Sequence, residues 1–215
     1  MNEIKACLFD LDGVIVDTAK YHYLAWKRLA NELGFEFTEE DNERLKGVSR
    51  MKSLEILLEL GEISADDSAM EAYAAKKNAW YVEYISKMDS SEILPGVLDF
   101  LRELKDNGIK ISLGSVSKNA MTILNNVGIV EYFDAVIDGT KITHAKPNPE
   151  VFLKGAEELG VDPKECVVFE DAQAGIEAAI NAGMYSVGIG SADILQKANT
   201  VIPGFEGMTL DKLKL

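Results

Sequence analysis

Two aspartates two residues apart, Asp10 and Asp12, close a short apolar run, Ala6 to Phe9, inside the segment F-D-L-D-G-V-I-V-D-T. Residues i and i+2 of an extended chain lean to the same side, so a strand leaving its sheet here can hold both carboxylates around one small volume. Crowded carboxylates raise one another's pKa unless a cation neutralises them, and a hard divalent ion with oxygen ligands suits that need. The plainer reading is a strand followed by an Asp-Gly turn, with Asp17 or Thr18 capping the next helix. This segment alone leaves both readings open.

The elements that would position these acids follow from periodicity. From Pro95 onward, short apolar runs alternate with amphipathic stretches. Val97, Leu98, Leu101 and Leu104 recur at helical spacing until Asn107-Gly108, and Ile109 to Leu113 then reads as a strand. A helix over Asn119 to Asn126, a strand Ala135 to Ile137, a helix after Pro149, a strand Cys166 to Phe169, a helix Gly175 to Ala182 and a strand Tyr185 to Ile189 follow. Val201-Ile202 and Leu210 to Leu213 read as a last short pair. Such alternation implies right-handed βαβ units and a parallel sheet covered on both faces. Residues 17–92 differ: helical stripes at Tyr23 to Leu33, Leu54 to Leu60 and Met70 to Ile85 carry no convincing strand between them. The expected architecture is α/β, a Rossmann-like parallel sheet core (residues 1–16 and 93–215) with an inserted all-helical cap domain (17–92).

Ligands of open parallel sheets gather at the carboxyl ends of the strands. The strands predicted here end in Asp10 and Asp12; in Ser115, Ser117, Lys118 and Asn119 just before a helix; in Lys146 of A-K-P-N-P; and in Glu170 and Asp171. Hydroxyls and free N–H groups at a helix start suit phosphate oxygens. Each has a plain explanation alone: Ser117, Asn119 or Asp171 as helix caps, Lys146 as a solvated loop lysine. Together they read as a Mg²⁺-assisted phosphoryl-transfer site with a carboxylate as candidate nucleophile.

Composition narrows the partners. The 215 residues carry a net charge of −14, which argues against nucleic acid and requires a local basic enclave for any anionic substrate. Cys7 and Cys166 sit in apolar runs and suit a reducing compartment. No signal-like start and no membrane-length apolar run is visible, so a cytoplasmic, soluble protein is expected.

The ordered set D-L-D-G-V, S-V-S-K, K-P and E-D resembles the haloacid dehalogenase superfamily of phosphotransferases, and the helical insertion resembles its small-cap subgroup. The likeness spans essentially the whole chain and is strongest to the β-phosphoglucomutase family. That family's D-T-x-x-Y-H-x-x-A-W is matched by Asp17 to Trp26, its L-K-G-V-S-R by Leu45 to Arg50, and its lysine-asparagine on the third cap helix by Lys77-Asn78. The chain departs from relatives in A-K-P-N-P for S-K-P-A-P and in G-S-V-S-K for A-S-A-S-K, sparing the expected contact residues.

The resemblance implies roles. Asp10 would be the nucleophile and Asp12 the general acid/base. Asp10, the backbone carbonyl of Asp12 and Asp171 would hold one Mg²⁺ per chain, with Glu170 as a ligand or nearby anchor. Ser115 and Lys146 would bind the transferring phosphoryl group. Ser117, Lys118 and Asn119 from the core, and Gly47, Val48, Ser49, Arg50, Ser53 and Lys77 from the cap, would contact substrate. Thr18 and His22 would orient Asp12 or sense cap closure. Without the resemblance, His22 reads as packing beside Tyr21 and Tyr23, and Arg50 and Lys77 as solvated helix charges. His144 reads as a surface residue, and the cap tyrosines, Trp26 and Trp80 as core.

The activity implied is a monomeric mutase. It would interconvert β-D-glucose 1-phosphate and glucose 6-phosphate, with β-glucose 1,6-bisphosphate as priming intermediate. The alternative is a small-molecule sugar phosphatase that releases the same aspartyl phosphate to water. A non-enzymatic binding module fits least, because no member of the charged set is missing.

Overall fold

The computed structural model describes residues 3–45 and 48–213. Six strands form one parallel sheet in the order β3-β2-β1-β4-β5-β6: β1 Ala6–Phe9, β2 Lys110–Gly114, β3 Ala135–Ile137, β4 Cys166–Glu170, β5 Tyr185–Ile189 and β6 Thr200–Ile202. Every residue of β1 and β4 is buried, as a sheet covered on both faces demands. Successive residues of β1 therefore serve opposite layers. Cys7 and Phe9 join the layer of α5 (Val97–Asp106) and α6 (Ala120–Val127), while Ala6 and Leu8 join that of α7 (Glu150–Leu159) and α8 (Gln173–Asn181). Phe9 stacks on Phe169 at 4.7 Å, with Phe100 and Phe205 closing the cluster. This apolar mass fixes the centre of the sheet directly below the carboxyl ends of β1 and β4.

Between β1 and α5 the described residues form helices and no named strand: α1 Ala19–Leu33, α2 Glu39–Glu43, α3 Arg50–Leu60 and α4 Asp67–Ile85. They bury a separate cluster around Trp26, Leu29, Phe37, Leu54, Leu57 and Leu58. The chain enters and leaves this unit through two segments lying side by side. Asp17 N–H donates to Glu92 O at 3.1 Å and Leu94 N–H to Ile15 O at 3.0 Å.

Two local expectations need correction. Helix α2 was not expected, because E-E-D-N-E has no apolar stripe. Its signal is a capping box instead: Thr38 Oγ1 accepts from Asp41 N–H and Asp41 Oδ2 from Thr38 N–H. Residues 210–213 are not a strand; Leu210–Lys212 is a single 3₁₀ turn. Leu210 and Leu213 sit three apart and both pack onto the core, a helical rather than an alternating spacing. Cys7 and Cys166 are buried free thiols. No helix among the described residues is long and apolar enough to cross a membrane.

Candidate active site

Asp10 extends β1 by one residue, its N–H donating to Phe169 O at 3.0 Å. The chain then turns tightly, with Gly13 N–H on Val16 O at 2.9 Å. A Cβ at Gly13, which has φ +80°, would stand 2.2 Å from Asp171 Oδ2, so glycine is what lets the turn pass against that carboxylate. Gly175 does the same at α8, where a Cβ would lie 1.9 Å from Glu170 Oε1. Asp10, Glu170 and Asp171 thereby bring carboxylate oxygens within 4.8 Å of one another. Three hard oxygen donors in one small volume fit Mg²⁺. The side chain of Asp12 is not one of the three.

Lys146 lies beneath them, 4 % exposed, with Nζ 2.5 Å from both Asp10 Oδ1 and Glu170 Oε1. Burial alone would lower its pKa, but the two carboxylates overcome this and hold it above the ordinary lysine value. It is no solvated loop lysine. Glu170 also accepts from Ala172 N–H at 2.9 Å, and burial pushes its carboxyl upward against the opposing pull of Lys146. Ser115 is buried at the end of β2, its Oγ accepting from Ser117 N–H at 3.1 Å. Ser117 Oγ accepts from Asn119 N–H at 3.2 Å in a local turn, and neither Ser117 nor Asn119 caps α6 through its side chain.

Asp12 is pushed up to about 6, by burial first and then by the charge of Asp10. Thr18 begins α1 without capping it; its hydroxyl instead donates to Asp12 Oδ1. The reading of Thr18 as a mere cap therefore fails. His22 places Nε2 3.9 Å from the same oxygen, and its Nδ1 lies 2.9 Å from Lys77 Nζ. When Lys77 is charged it can only donate, and in that state Nδ1 accepts and the ring proton sits on Nε2, facing Asp12. Burial, then Lys77 and Arg50, hold the imidazole well below its usual pKa and keep it neutral.

Lys77 is 2 % exposed, sandwiched between the rings of Trp26 (4.4 Å) and Tyr81 (4.7 Å). Burial and then Arg50 push its pKa down to about 7, while the ring faces favour what charge remains. Arg50, half-buried at the start of α3, makes no salt bridge among the described residues. Ser49 caps α3 by accepting from Lys52 N–H at 3.3 Å, so its hydroxyl carries a structural role.

A cavity of about 580 Å³ separates the two units. Asp10, Asp12, His22, Val48, Ser49, Arg50, Ser53, Lys77, Ser117, Lys118, Asn119 and Asp171 line it. Thr18, Ser115, Lys146 and Glu170 stand behind the wall as supports. Gly47 lies outside the described residues. Reading Trp26 and the tyrosines as simple core needs correction, since Trp26 and Tyr81 are buried and also line the cavity. Asn78, also on the wall, bridges cap to core by accepting from Asn119 Nδ2 at 3.1 Å. The spacing Lys77-Asn78-Tyr81 puts Tyr81 one helical turn from Lys77, the only sequence signal that could have found it. His144 is exposed, paired with Glu150 at 3.1 Å.

A sheet of this order with clustered acids and a buried lysine at its carboxyl edge is the frame of a phosphoryl-handling α/β enzyme. A family model of haloacid dehalogenase-like hydrolases matches residues 4–183, and the chain belongs to that family. It is 42 % identical over 212 residues to a β-phosphoglucomutase of Bacillus subtilis, covering 98 % of this chain and 94 % of the relative. The crystal structure of a β-phosphoglucomutase from Clostridium difficile superimposes with a TM-score of 0.93 at 44 % identity, covering 98 % of this chain and 95 % of that one. The fructose-1-phosphate phosphatase YqaB of Escherichia coli is 33 % identical, over 85 % of this chain and 94 % of its own length.

Proposed function

We propose that this chain is a mutase of β-D-glucose phosphates, moving a phosphoryl group between C1 and C6 through an aspartyl phosphate on Asp10 and β-glucose 1,6-bisphosphate. One observation carries the reading. The cavity has phosphate-receptive groups at both ends, Asp10 with its supporting Lys146 on the core side, Arg50 and Lys77 on the cap side. A bisphosphate can give one phosphate to the chemistry and the other to the cap, then turn around. A guanidinium fork without a carboxylate partner among the described residues suits the second role.

Asp10, Glu170, Asp171 and the Asp12 carbonyl would hold Mg²⁺, which supplies positive charge beside the transferring phosphoryl oxygens. Asp10 attacks phosphorus. Asp12, with a pKa near 6, gives its proton to the departing sugar oxygen and takes one from the attacking hydroxyl, an exchange suited to neutral pH. Thr18 and His22 hold Asp12 in place. Ser115 and Lys146 steady the phosphoryl end. The paired segments Asp17–Glu92 and Ile15–Leu94 serve as the hinge between a core of residues 1–16 and 93–215 and a cap of residues 17–92.

The phosphatase reading is favoured by one finding, the similarity to a fructose-1-phosphate phosphatase. Both readings use the same acids and differ in whether a sugar hydroxyl or water reaches the phosphoenzyme. The test is incubation with β-glucose 1-phosphate, Mg²⁺ and catalytic β-glucose 1,6-bisphosphate, measuring glucose 6-phosphate beside inorganic phosphate. The mutase forms glucose 6-phosphate many times faster than phosphate and uses the α anomer poorly. Stoichiometric phosphate release without glucose 6-phosphate makes it a phosphatase.

A further inference from the structure

Tyr81 stands on α4 where its ring is fully used by packing. It stacks on His22 at 4.1 Å with an interplanar angle of 27°, and Lys77 Nζ lies 4.7 Å above it. The residue is 1 % exposed. A phenylalanine would make every one of these ring contacts. The hydroxyl is what phenylalanine lacks, and that hydroxyl is buried without a hydrogen-bond partner among the described residues. Buried polar groups without partners are rare and destabilising, so an orphan on a residue that lines a cavity points to a ligand that is not part of the protein.

The neighbours of the orphan say what that ligand offers. Burial first and then the charge of Asp12 keep the phenol well above its usual pKa, so at any working pH it is an O–H donor. The Thr18 hydroxyl lies near enough to act on the Tyr81 hydroxyl and lower its pKa, but it donates its proton to Asp12, and no hydrogen bond of full geometry joins the two. Arg50 is also close enough for the two groups to affect one another's ionisation. Tyr81, on the wall of the cavity, therefore stands near both the acid of the core and the guanidinium of the cap.

We propose that Tyr81 is a substrate-contacting residue of the cap, its hydroxyl donating a hydrogen bond to an oxygen of the bound sugar phosphate between Asp12 and Arg50. This rests on the sugar-phosphate reading above. It makes Tyr81 a determinant of affinity that a core aromatic would not be. The hydroxyl is tolerated empty because substrate completes it.

The test is Tyr81→Phe, which keeps the ring and removes only the donor. Two quantities are measured side by side: thermal unfolding without ligand, and calorimetric binding of glucose 6-phosphate to wild type and variant. Without ligand the variant should be as stable as wild type or more so, since an unsatisfied group has gone. Its dissociation constant for glucose 6-phosphate should rise about tenfold to a hundredfold, the usual consequence of leaving a buried ligand oxygen unpaired. Equal binding by wild type and variant would overturn the proposal while leaving the proposed function intact. A wild type that binds no sugar phosphate would overturn that function, and this proposal with it.

Discussion

Lys146 and Lys77 are both buried lysines at the cavity, and the two halves of the molecule treat them in opposite ways. In the core, Lys146 is clamped between Asp10 and Glu170 at 2.5 Å each, its charge matched before any ligand arrives. In the cap, Lys77 has ring faces and a histidine nitrogen for company, and the nearby Arg50 is a second cation. The core keeps this lysine paired and fixed, as preorganised stabilisation of a transferring group requires. The cap holds two cations with little compensating negative charge, Lys77 and Arg50, and an anion entering the cavity would favour both. On the proposed function, the core would supply the chemistry and the cap a reason to close.

The severest challenge to that division is Asp10→Asn. It should abolish phosphoenzyme formation, read by mass spectrometry after mixing with the bisphosphate, while far-ultraviolet circular dichroism stays that of the folded protein. A phosphoenzyme on the variant would place the nucleophile elsewhere. Next in size, Asp12→Asn should slow turnover by about 10²–10⁴-fold with divalent-ion affinity by calorimetry largely kept. Wild-type turnover in that variant would reduce Asp12 to a turn residue.

The two lysines can be set against each other directly. Lys146→Met leaves two buried carboxylates without their cation and should cost about 3–5 kcal/mol of stability in urea unfolding with chelator present. Lys77→Met should cost little or nothing near pH 7, because a poorly compensated charge is removed. Equal losses would erase the contrast between core and cap.

A smaller effect is expected for Arg50→Ala, which should depress turnover of glucose 1-phosphate and of the bisphosphate by roughly 10–100-fold, the worth of a charge-assisted hydrogen bond. Hydrolysis of a small aryl phosphate should be nearly unaffected. Matching losses on both substrates would move Arg50 from substrate capture to maintenance of the fold.

The last test reads a slope rather than a single loss. Lys77 titrates near 7 in the folded protein against 10.5 in the unfolded chain. Between those values the unfolded chain binds a proton that the native state does not, so its contribution to stability rises with pH, by about 1 kcal/mol per unit. Below pH 7 both states are protonated and the contribution is flat. Subtracting the Lys77→Met profile from that of wild type should expose a rise confined to pH 7–10. A flat difference would mean that the rings and His22 keep Lys77 fully charged.

The parallel sheet, the helical insertion and the acids at the strand ends were all legible in the amino-acid order. Apolar runs broken by Asp10-Leu11-Asp12 and by Glu170-Asp171 report a local fact, where a buried strand stops. It also held a signal for α2, in Thr38 and Asp41, that apolar periodicity passes over. Whether Thr18 caps its helix or holds Asp12 was open in sequence, and so was whether Lys77 is solvated or buried. Only the tertiary structure decided these, because the partners are far apart in the chain: Lys146 meets Asp10 across 136 residues and Lys77 meets His22 across 55. Periodicity says which face of an element avoids water. It does not say which distant element that face will meet, and the pairing of Lys146 and the unpaired hydroxyl of Tyr81 are properties of those meetings.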